Sequence, residues 1–356
     1  MKKLLMTLFC VLTLVGLVAC DDEKTSNDNT NEDNTQETET EYKLGMGVVT
    51  DIATGKFEFN ATVATVVTKE GVIVACRLDA VQNKAEVKDG AVVITELRTK
   101  MEQGDDYGMA AAVNYGMDWN KDGVVKEWYD QAKAFEAYVV GKTAAQVEAM
   151  PTQVVEGNGY VISAEDALLA AGCTIQITDF KAAVVKACND AQGMTFKTSK
   201  EFTLGLAAES AQDTSKAATE LHIGSEFAAS VVVEGKIVAT LNDAIQPSYT
   251  VETMTPAETS VKTKREKLGE YGMAAAVNYG MDWNKDGVVK EWYEQSMAFS
   301  KYVIGMTKDQ VLAMPTQVVE GHGYVISAED ALLAAGCTIQ ISTIKTVVAE
   351  SVANAR

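Results

Sequence analysis

Residues 171–175 read AGCTI, and residues 335–339 read AGCTI again. Each copy ends a longer repeat, because residues 107–177 return as residues 271–341 with 11 differences in 71 positions. An internal repeat of this length has to be recognised before any fold is predicted. In a chain of 356 residues it predicts two tandem units, each large enough to bury a core.

The N-terminus differs in composition from the repeats. Residues 1–19 carry two lysines followed by an apolar run, which predicts a signal peptide and is too short for a transmembrane helix. The ending Leu-Val-Ala-Cys at residues 17–20 resembles a bacterial lipobox, which implies cleavage before Cys20 and a diacylglyceryl thioether on its sulfur. An ordinary secretory signal with a chance cysteine is the alternative.

Residues 20–40 are mostly Asp, Glu, Asn and Thr, a composition that predicts a disordered acidic tether. The formal net charge of the chain is −19, which argues against nucleic acid and anionic headgroups as partners. The lipid on Cys20 would then attach the chain to the outer face of the cytoplasmic membrane.

Four cysteines remain beyond the tether, and their positions do not suggest a disulfide framework. We expect them to be small buried thiols, since free cysteine is among the most buried residue types. They are Cys76, Cys173, Cys188 and Cys337.

Each unit opens with a strand-rich part that differs between the copies. In the first unit, residues 57–67 and 72–81 alternate and are rich in β-branched residues, which predicts a hairpin across residues 68–71. In the second unit, residues 226–233 and 236–241 predict a tighter hairpin across Glu234 and Gly235.

The units begin at matching segments, residues 41–45 and 201–205. These starts place the first domain at residues 41–198 and the second at residues 199–356. Because strands precede helices in each unit, the predicted class is α+β.

The repeated part is predicted to be mostly helical. Residues 126–140 form an amphipathic helix that ends at Gly141, and the substituted positions 130, 133, 137 and 140 lie opposite its apolar face. That face contains Trp128, Ala132, Phe135 and Val139.

Capping signals divide the remainder of the repeat. Thr143 with Gln146, repeated at 307 and 310, has the spacing of a capping box for a short helix that stops before proline. Ser163 with Asp166 predicts a helix over residues 164–171, ended by a left-handed Gly172.

Beyond Gly172, residues 175–177 predict a short strand. Residues 180–188, and residues 344–352 in the second copy, predict a closing amphipathic helix.

Thr174 and Thr338 follow these glycines directly. Small neighbours would expose each hydroxyl where another protein could reach it, although a threonine that merely starts a strand is the simpler explanation. The sequence AGCTI resembles the Ser-Gly-Ala-Thr-Ile motif of flavinylated FMN-binding domains, in which a transferase of the ApbE type joins FMN phosphate to the threonine hydroxyl.

Each repeat also contains the segments Tyr-Gly-Met, Asp-Trp-Asn-Lys-Asp-Gly and Glu-Trp-Tyr, which begin at residues 107, 118 and 127 in the first copy. With these segments, nearly the whole mature chain resembles the PplA-like extracellular electron-transfer flavolipoproteins of Gram-positive bacteria. The resemblance implies two FMN-binding domains with covalent FMN on Thr174 and Thr338. It also implies electron supply by a membrane NADH dehydrogenase through quinone and membrane partners, and extracellular acceptors such as ferric iron. Such a chain is a redox carrier more than an enzyme with a defined substrate.

The resemblance also points to further residues around the flavin. The threonine turns contribute Gly172, Cys173, Gly336 and Cys337. Residues that could pack on or bond to the flavin ring, or else belong to an ordinary core, are Tyr107, Met109, Asn114, Tyr115, Tyr271, Met273, Asn278 and Tyr279.

The sequence departs from the flavinylation motif in three ways. Ala171 replaces the serine of the motif, and Cys173 replaces its alanine. Leu168 lies where the motif has an acidic residue. Asp166 and its repeat Asp330, eight residues before each threonine, are candidates to substitute for that acid. Both copies depart identically, which is typical of a subfamily variant.

Residues 118–123 read DWNKDG, and they begin like a calcium loop. The later ligand positions hold Lys126 and Tyr129, so a turn held by Asp and Asn side chains is the alternative to a calcium site. The candidate oxygen ligands are Asp118, Asn120, Asp122, Asp282, Asn284 and Asp286.

Several other chemistries are excluded by the sequence. The two histidines, His222 and His322, do not occupy matching positions, so a duplicated histidine-dependent site is excluded. The chain has no phosphate loop, no Cys-x-x-Cys and no nucleophile elbow. Two alternatives to a flavoprotein stay open: a cofactor-free surface lipoprotein that binds a ligand or partner, and a calcium-stabilised scaffolding module.

Overall fold

The structure, a computed structural model, describes residues 38–110, 125–157, 159–213, 219–258, 261–274 and 289–356. Glu39–Arg356 form one compact unit. Helices and antiparallel sheets are both present, which confirms the α+β class. Below, residues 39–198 are called the first half and residues 199–356 the second half.

The first half contains a five-stranded antiparallel sheet with the strand order β4-β3-β2-β1-β7. The predicted hairpin is confirmed between β2 and β3, where Glu70 and Gly71 both have positive φ as a two-residue primed turn requires. The strands are β1 (Thr40–Ile52), β2 (Phe57–Lys69), β3 (Val72–Lys88), β4 (Ala91–Glu96) and β7 (Met194–Thr198).

The second half contains an equivalent sheet. Its central strand β9 pairs with β8, β10 and β11, and the predicted hairpin between β9 and β10 turns through Glu234 and Gly235, both with positive φ. The strands are β8 (Thr203–Asp213), β9 (Glu220–Val233), β10 (Lys236–Ile245), β11 (Ser248–Thr250) and β12 (Thr255–Pro256).

The repeated segment is helical apart from one small hairpin in each copy. The hairpins are β5 (Thr152–Val154) with β6 (Val161–Ser163), and β13 (Thr316–Val318) with β14 (Val325–Ser327). In the first half the helices are α1 (Lys100–Gln103), α2 (Trp128–Val139), α3 (Ala144–Glu148), α4 (Asp166–Ala170) and α5 (Thr178–Cys188). In the second half they are α6 (Lys264–Lys267), α7 (Trp292–Tyr302), α8 (Lys308–Leu312), α9 (Asp330–Ala334) and α10 (Ser342–Ala353).

Most helix predictions are confirmed. The apolar face predicted for α2 is buried, and both capping boxes at α3 and α8 form, with Thr143 and Thr307 as the N-caps. Two predictions are wrong. Residues 175–177 are not a strand but lead into α5, and Ser163 does not cap α4, whose N-cap is Glu165.

Each sheet is covered by helices on one face only. In the first half, α5 packs on β1 and β2, and α2 packs on β3. In the second half, α10 packs on β8 and β9, and α7 packs on β10. The helices and the sheet beneath them enclose one apolar core in each half.

The other faces of the two sheets meet in a third core. Leu44, Phe59 and Val63 of the first half are buried in one cluster with Phe227 and Leu241 of the second half. The layers therefore run helices, sheet, sheet, helices, and both sheets are buried on both faces.

Positions that differ between the copies lie where α2 meets the second half. Lys133, Glu136 and Ala137 line a cleft together with Leu204 and Arg356. The Glu136 carboxylate accepts from Leu78 N–H at 2.8 Å and from Arg356 Nη2 at 2.8 Å. The equivalent residue of α7 is Ser300, and its hydroxyl accepts from the buried Asn242 instead. At this pair of equivalent positions, Glu136 bonds to the other half, whereas the serine bonds within its own half.

Candidate functional site

The turn that carries Thr174 follows helix α4 and is closed by Gly172. Gly172 has φ +85°, a left-handed conformation that glycine adopts without steric cost. Its N–H donates to Leu169 O at 2.8 Å, and the Cys173 N–H donates to Leu168 O at 3.1 Å. These are the two bonds of a Schellman motif. The prediction that Gly172 ends this helix is confirmed.

Thr174 is buried, with 3% of its surface exposed. Its backbone N–H donates to Oε1 of Gln131 at 2.8 Å, and its hydroxyl Oγ1 donates to the same atom at 3.4 Å. The Ile175 N–H donates to that oxygen as well, at 2.9 Å. The expectation of an exposed hydroxyl is therefore wrong, because a glutamine on α2 holds the threonine inward.

The second repeat builds the same arrangement. Thr338 is 6% exposed, and its N–H and Oγ1 donate to Oε1 of Gln295 at 2.7 and 3.2 Å. Gly336 has φ +81° and ends α9 as Gly172 ends α4. The strand-rich parts around the two turns differ in sequence, so the repeated segment itself specifies this geometry.

The glutamine also reaches the segment that precedes its helix. Gln131 Nε2 donates to Lys126 O at 2.8 Å, and Gln295 Nε2 donates to Lys290 O at 2.8 Å. Both glutamines are fully buried. Sequence reasoning missed them, although a glutamine on the buried face of an amphipathic helix, identical in both copies, is a usable signal for a polar role.

A lysine lies across each turn. Lys126 Nζ donates to Ala171 O at 2.8 Å, and Lys290 Nζ donates to Ala335 O at 2.7 Å. Both lysines are partly exposed. Each threonine turn therefore carries a positive charge within reach of solvent.

The cysteine before each threonine is buried in the helical core. Burial raises the pKa of the Cys173 thiol to about 12, and it raises the pKa of Cys337 to about 12 as well. Both thiols are uncharged at neutral pH, so they are poor nucleophiles and act as small apolar residues. Cys76 is also buried and Cys188 is half-buried, and all four are free, as predicted.

Asp166 and Asp330 lie at the start of the short helices that lead to the threonines. Both are exposed in the first turn, while each threonine follows the last turn. The proposed substitution of Asp166 for the missing acid stays a prediction.

The structure brings the candidate ring-contacting residues close to the turns. Tyr107 and Met109 are buried in the same cluster as Trp128, Cys173 and Ile175. Tyr271 and Met273 occupy the equivalent cluster of the second half. These residues belong to the core beside each threonine, and a role in contacting flavin stays a prediction.

A buried carboxylate fixes the backbone next to this cluster. Glu127 accepts from the N–H groups of Met109 and Ala110, both at 2.9 Å. Glu291 accepts from Met273 N–H at 3.0 Å in the second half. Glu127 was also missed in the sequence analysis.

The remaining candidates lie outside the described residues. They are Asn114, Tyr115, Asn278 and Tyr279 for the flavin ring, and Asp118, Asn120, Asp122, Asp282, Asn284 and Asp286 for calcium. Within the described residues, no group of three or more His, Cys, Asp or Glu side chains could hold a metal ion.

The hydrogen bonds of Thr174 define what its hydroxyl can do. Among the described residues, the partner of Thr174 Oγ1 is the Gln131 amide, and no carboxylate, imidazole or amine bonds to it. An amide is not a general base. Among the described residues, the surroundings of the Thr174 hydroxyl therefore supply no general base that bonds to it.

Comparisons with protein-family models, curated proteins and solved structures found no match to this chain. Where the structure describes the chain, none of its helices is both long and apolar enough to cross a membrane.

Proposed function

We propose that this chain is an extracellular electron carrier, held at the outer face of the cytoplasmic membrane by lipid on Cys20, with one FMN covalently attached to each of Thr174 and Thr338. Electrons would enter from a membrane NADH dehydrogenase through quinone and membrane proteins. They would leave to acceptors such as ferric iron. The proposal rests on the resemblance between the AGCTI sequence of both turns and the flavinylation motif of FMN-binding domains.

One observation carries the proposal: the same threonine turn is built twice, with the same glutamine, glycine and lysine around it. In both copies the lysine binds the C-cap carbonyl of the short helix and places a cation at the threonine turn. A modifying enzyme that acts on both threonines requires the same local surface twice.

Attachment is a phosphoryl transfer to the threonine oxygen. Thr174 Oγ1 would lose its proton to a base of the transferase and form an oxygen–phosphorus bond with the FMN phosphoryl group. The phosphoanhydride bond of flavin adenine dinucleotide, the flavin donor, would break, and adenosine monophosphate would leave. Because Oγ1 then lacks a proton, it would give up its 3.4 Å bond to Gln131 Oε1.

The bound group would supply the redox chemistry, since a flavin carries one or two electrons by itself. The chain would supply the attachment point and the surroundings of the ring. The residues that fit this role are the threonine turn and the adjoining Tyr107 and Met109, or Tyr271 and Met273 in the second half.

The burial of both hydroxyls favours one competing function, a cofactor-free surface lipoprotein that binds a ligand or partner through its repeats. In that case Thr174 and Thr338, at 3% and 6% exposure, would be structural residues bonded to glutamine.

Intact-mass and visible absorption measurements on full-length protein, co-expressed with a transferase of the ApbE type, separate the two functions. The proposal requires two added FMN masses and a flavin spectrum. Thr174→Val and Thr338→Val should each remove one mass, and the double variant both. A colourless product of unmodified mass would reject the proposal in favour of the cofactor-free function.

A further inference from the structure

Lys126 and Lys290 occupy matching positions against the two threonine turns. The Lys126 ammonium donates to Ala171 O at 2.8 Å, three residues before Thr174. Lys290 makes the same bond to Ala335 O at 2.7 Å. An ammonium has three donors, and this bond uses one of them. Within the described residues, the printed bond of each ammonium is the one to this carbonyl, so its other two donors could serve a further acceptor.

The turn is shaped to let the lysine approach. A Cβ atom placed on Gly172 would lie 2.7 Å from Cδ and Cε of Lys126, and a Cβ on Gly336 would lie 2.8 Å from the same atoms of Lys290. These distances are too short for carbon atoms in contact. Glycine therefore serves two needs at this position: the left-handed turn and the passage of the lysine stem.

The lysine and the threonine are held together by one side chain. Gln131 donates to the carbonyl of Lys126 and accepts from the N–H of Thr174, both at 2.8 Å. The backbone of the lysine and the backbone of the threonine are thus fixed to opposite ends of one fully buried amide. The backbone at the lysine and the backbone at the threonine are thus held in a fixed relation, and the ammonium rests on the carbonyl of Ala171, three residues before the threonine.

A phosphoester on Thr174 would need a cation here. Such an ester carries one negative charge, and it would sit beside the C-terminal turn of α4, where the negative ends of the backbone dipoles disfavour an anion. A lysine is a common partner of phosphate in proteins.

We propose that Lys126 and Lys290 bind the phosphoryl group that joins FMN to Thr174 and Thr338. This inference rests on the proposed function. The two lysines would contact the phosphate of FMN, both while the transferase delivers the FMN and after the ester has formed.

The chain supplies a matched control. Lys133 lies on α2, and the equivalent position of α7 in the second half is Met297, so Lys133→Met introduces the residue that the equivalent helix already carries there. Lys126→Met removes the same charge and keeps a long stem. Lys126→Arg keeps the charge.

The test uses the full chain with Thr338→Val, so that only Thr174 can be modified. Purified protein is incubated with the transferase and flavin adenine dinucleotide, and the added mass is followed with time. We expect Lys126→Met to slow modification about tenfold or more, since a charge-assisted bond to phosphate is lost. Lys126→Arg should retain most of the rate, and Lys133→Met all of it.

Two further measurements separate phosphate binding from a structural role. The melting temperatures of the unmodified variants report folding. The phosphorus-31 resonance of the modified protein reports the surroundings of the ester, and it should shift in Lys126→Met but not in Lys133→Met. An unchanged rate and an unchanged resonance in Lys126→Met would overturn the inference while leaving the proposed function intact. If Thr174 acquires no flavin in the Thr338→Val protein, the assignment of Thr174 as an attachment site fails, and this inference fails with it.

Discussion

Arg265 of the second half donates to Asp190 of the first half at 3.0 Å, and both side chains are less than a tenth exposed. The Asp190 carboxylate also accepts from the N–H groups of Met46 and Gln192, at 3.1 and 2.9 Å. Arg265 donates to Gln192 O as well, at 3.1 Å. This buried ion pair fixes α6 of the second half to the segment that follows α5 of the first half.

Removing one partner of this pair should be costly. Arg265→Met leaves a buried carboxylate without its cation, which we expect to lower the free energy of unfolding by about 3 kcal/mol. Chemical denaturation measures the change.

The repeat offers a rescue and a control for this prediction. The equivalent positions in the other half hold Met101 and Asn354, so Arg265→Met with Asp190→Asn copies an existing arrangement and should recover most of the loss. Lys267→Gln breaks a more exposed ion pair and should cost less than about 1 kcal/mol. Equal stability of Arg265→Met and Lys267→Gln would contradict the prediction.

Gly172→Ala should destabilise the chain more than Gly141→Ala. Both glycines have almost the same positive φ, +85° and +86°, so both variants incur the same backbone strain of about 1 kcal/mol. A Cβ on Gly141 meets nothing within 4 Å, whereas a Cβ on Gly172 collides with Lys126. The difference between their unfolding free energies measures the displacement of that lysine.

Shortening the lysine should remove this difference. In a Lys126→Ala background, Gly172→Ala should cost no more than Gly141→Ala does. A persistent excess would show that the collision with Lys126 is not its cause.

Gln131→Leu should destabilise the chain without any flavin present. The variant leaves the buried N–H groups of Thr174 and Ile175 without their acceptor, at about 1–3 kcal/mol for each unsatisfied group. We expect a loss of at least about 2 kcal/mol in urea denaturation. Thr174→Val should cost much less, because it removes only the long hydroxyl bond. Reversal of this order would show that the glutamine is not what holds the turn.

Folding stability should fall as pH rises from 4 to 7. Burial raises the pKa of the Asp79 carboxyl from 3.8 to about 7, and it raises the pKa of Asp243 to about 6. Over that range the folded state holds protons that the unfolded state has lost, so these groups contribute most stability at low pH and lose it as pH rises.

Asp79→Asn tests this dependence. The amide oxygen can still accept from Ala80 N–H and Met101 N–H, which now lie 2.7 and 3.2 Å from Oδ1 of Asp79. Unfolding free energies at pH 5 and pH 8 should differ less in this variant than in the wild type. The exposed Asp166→Asn is the control and should keep the wild-type difference. An unchanged difference in Asp79→Asn would reject the assignment.

Local signals predicted the local structure well. The spacing of Thr143 and Gln146 predicted a capping box, and Gly172 predicted the end of α4, because each depends on residues a few positions apart. The tight hairpin at Glu234 and Gly235 was predicted for the same reason.

Contacts between distant residues were not predicted. The burial of Thr174 depends on Gln131, which lies 43 residues earlier in the chain, and capping rules do not reach that far. The shared core between the sheets had a signal that the sequence analysis did not use. Residues 61–68 of β2 are buried without interruption, and a continuous apolar strand is typical of a sheet covered on both faces.

The shared core has a consequence for how such a chain could arise. A protein with only one repeat would expose the sheet face that Leu44 and Phe59 now bury against Phe227. A second identical molecule could cover that face, as in a twofold homodimer. Gene fusion would turn such a dimer into one polypeptide, after which the two partners were free to become different.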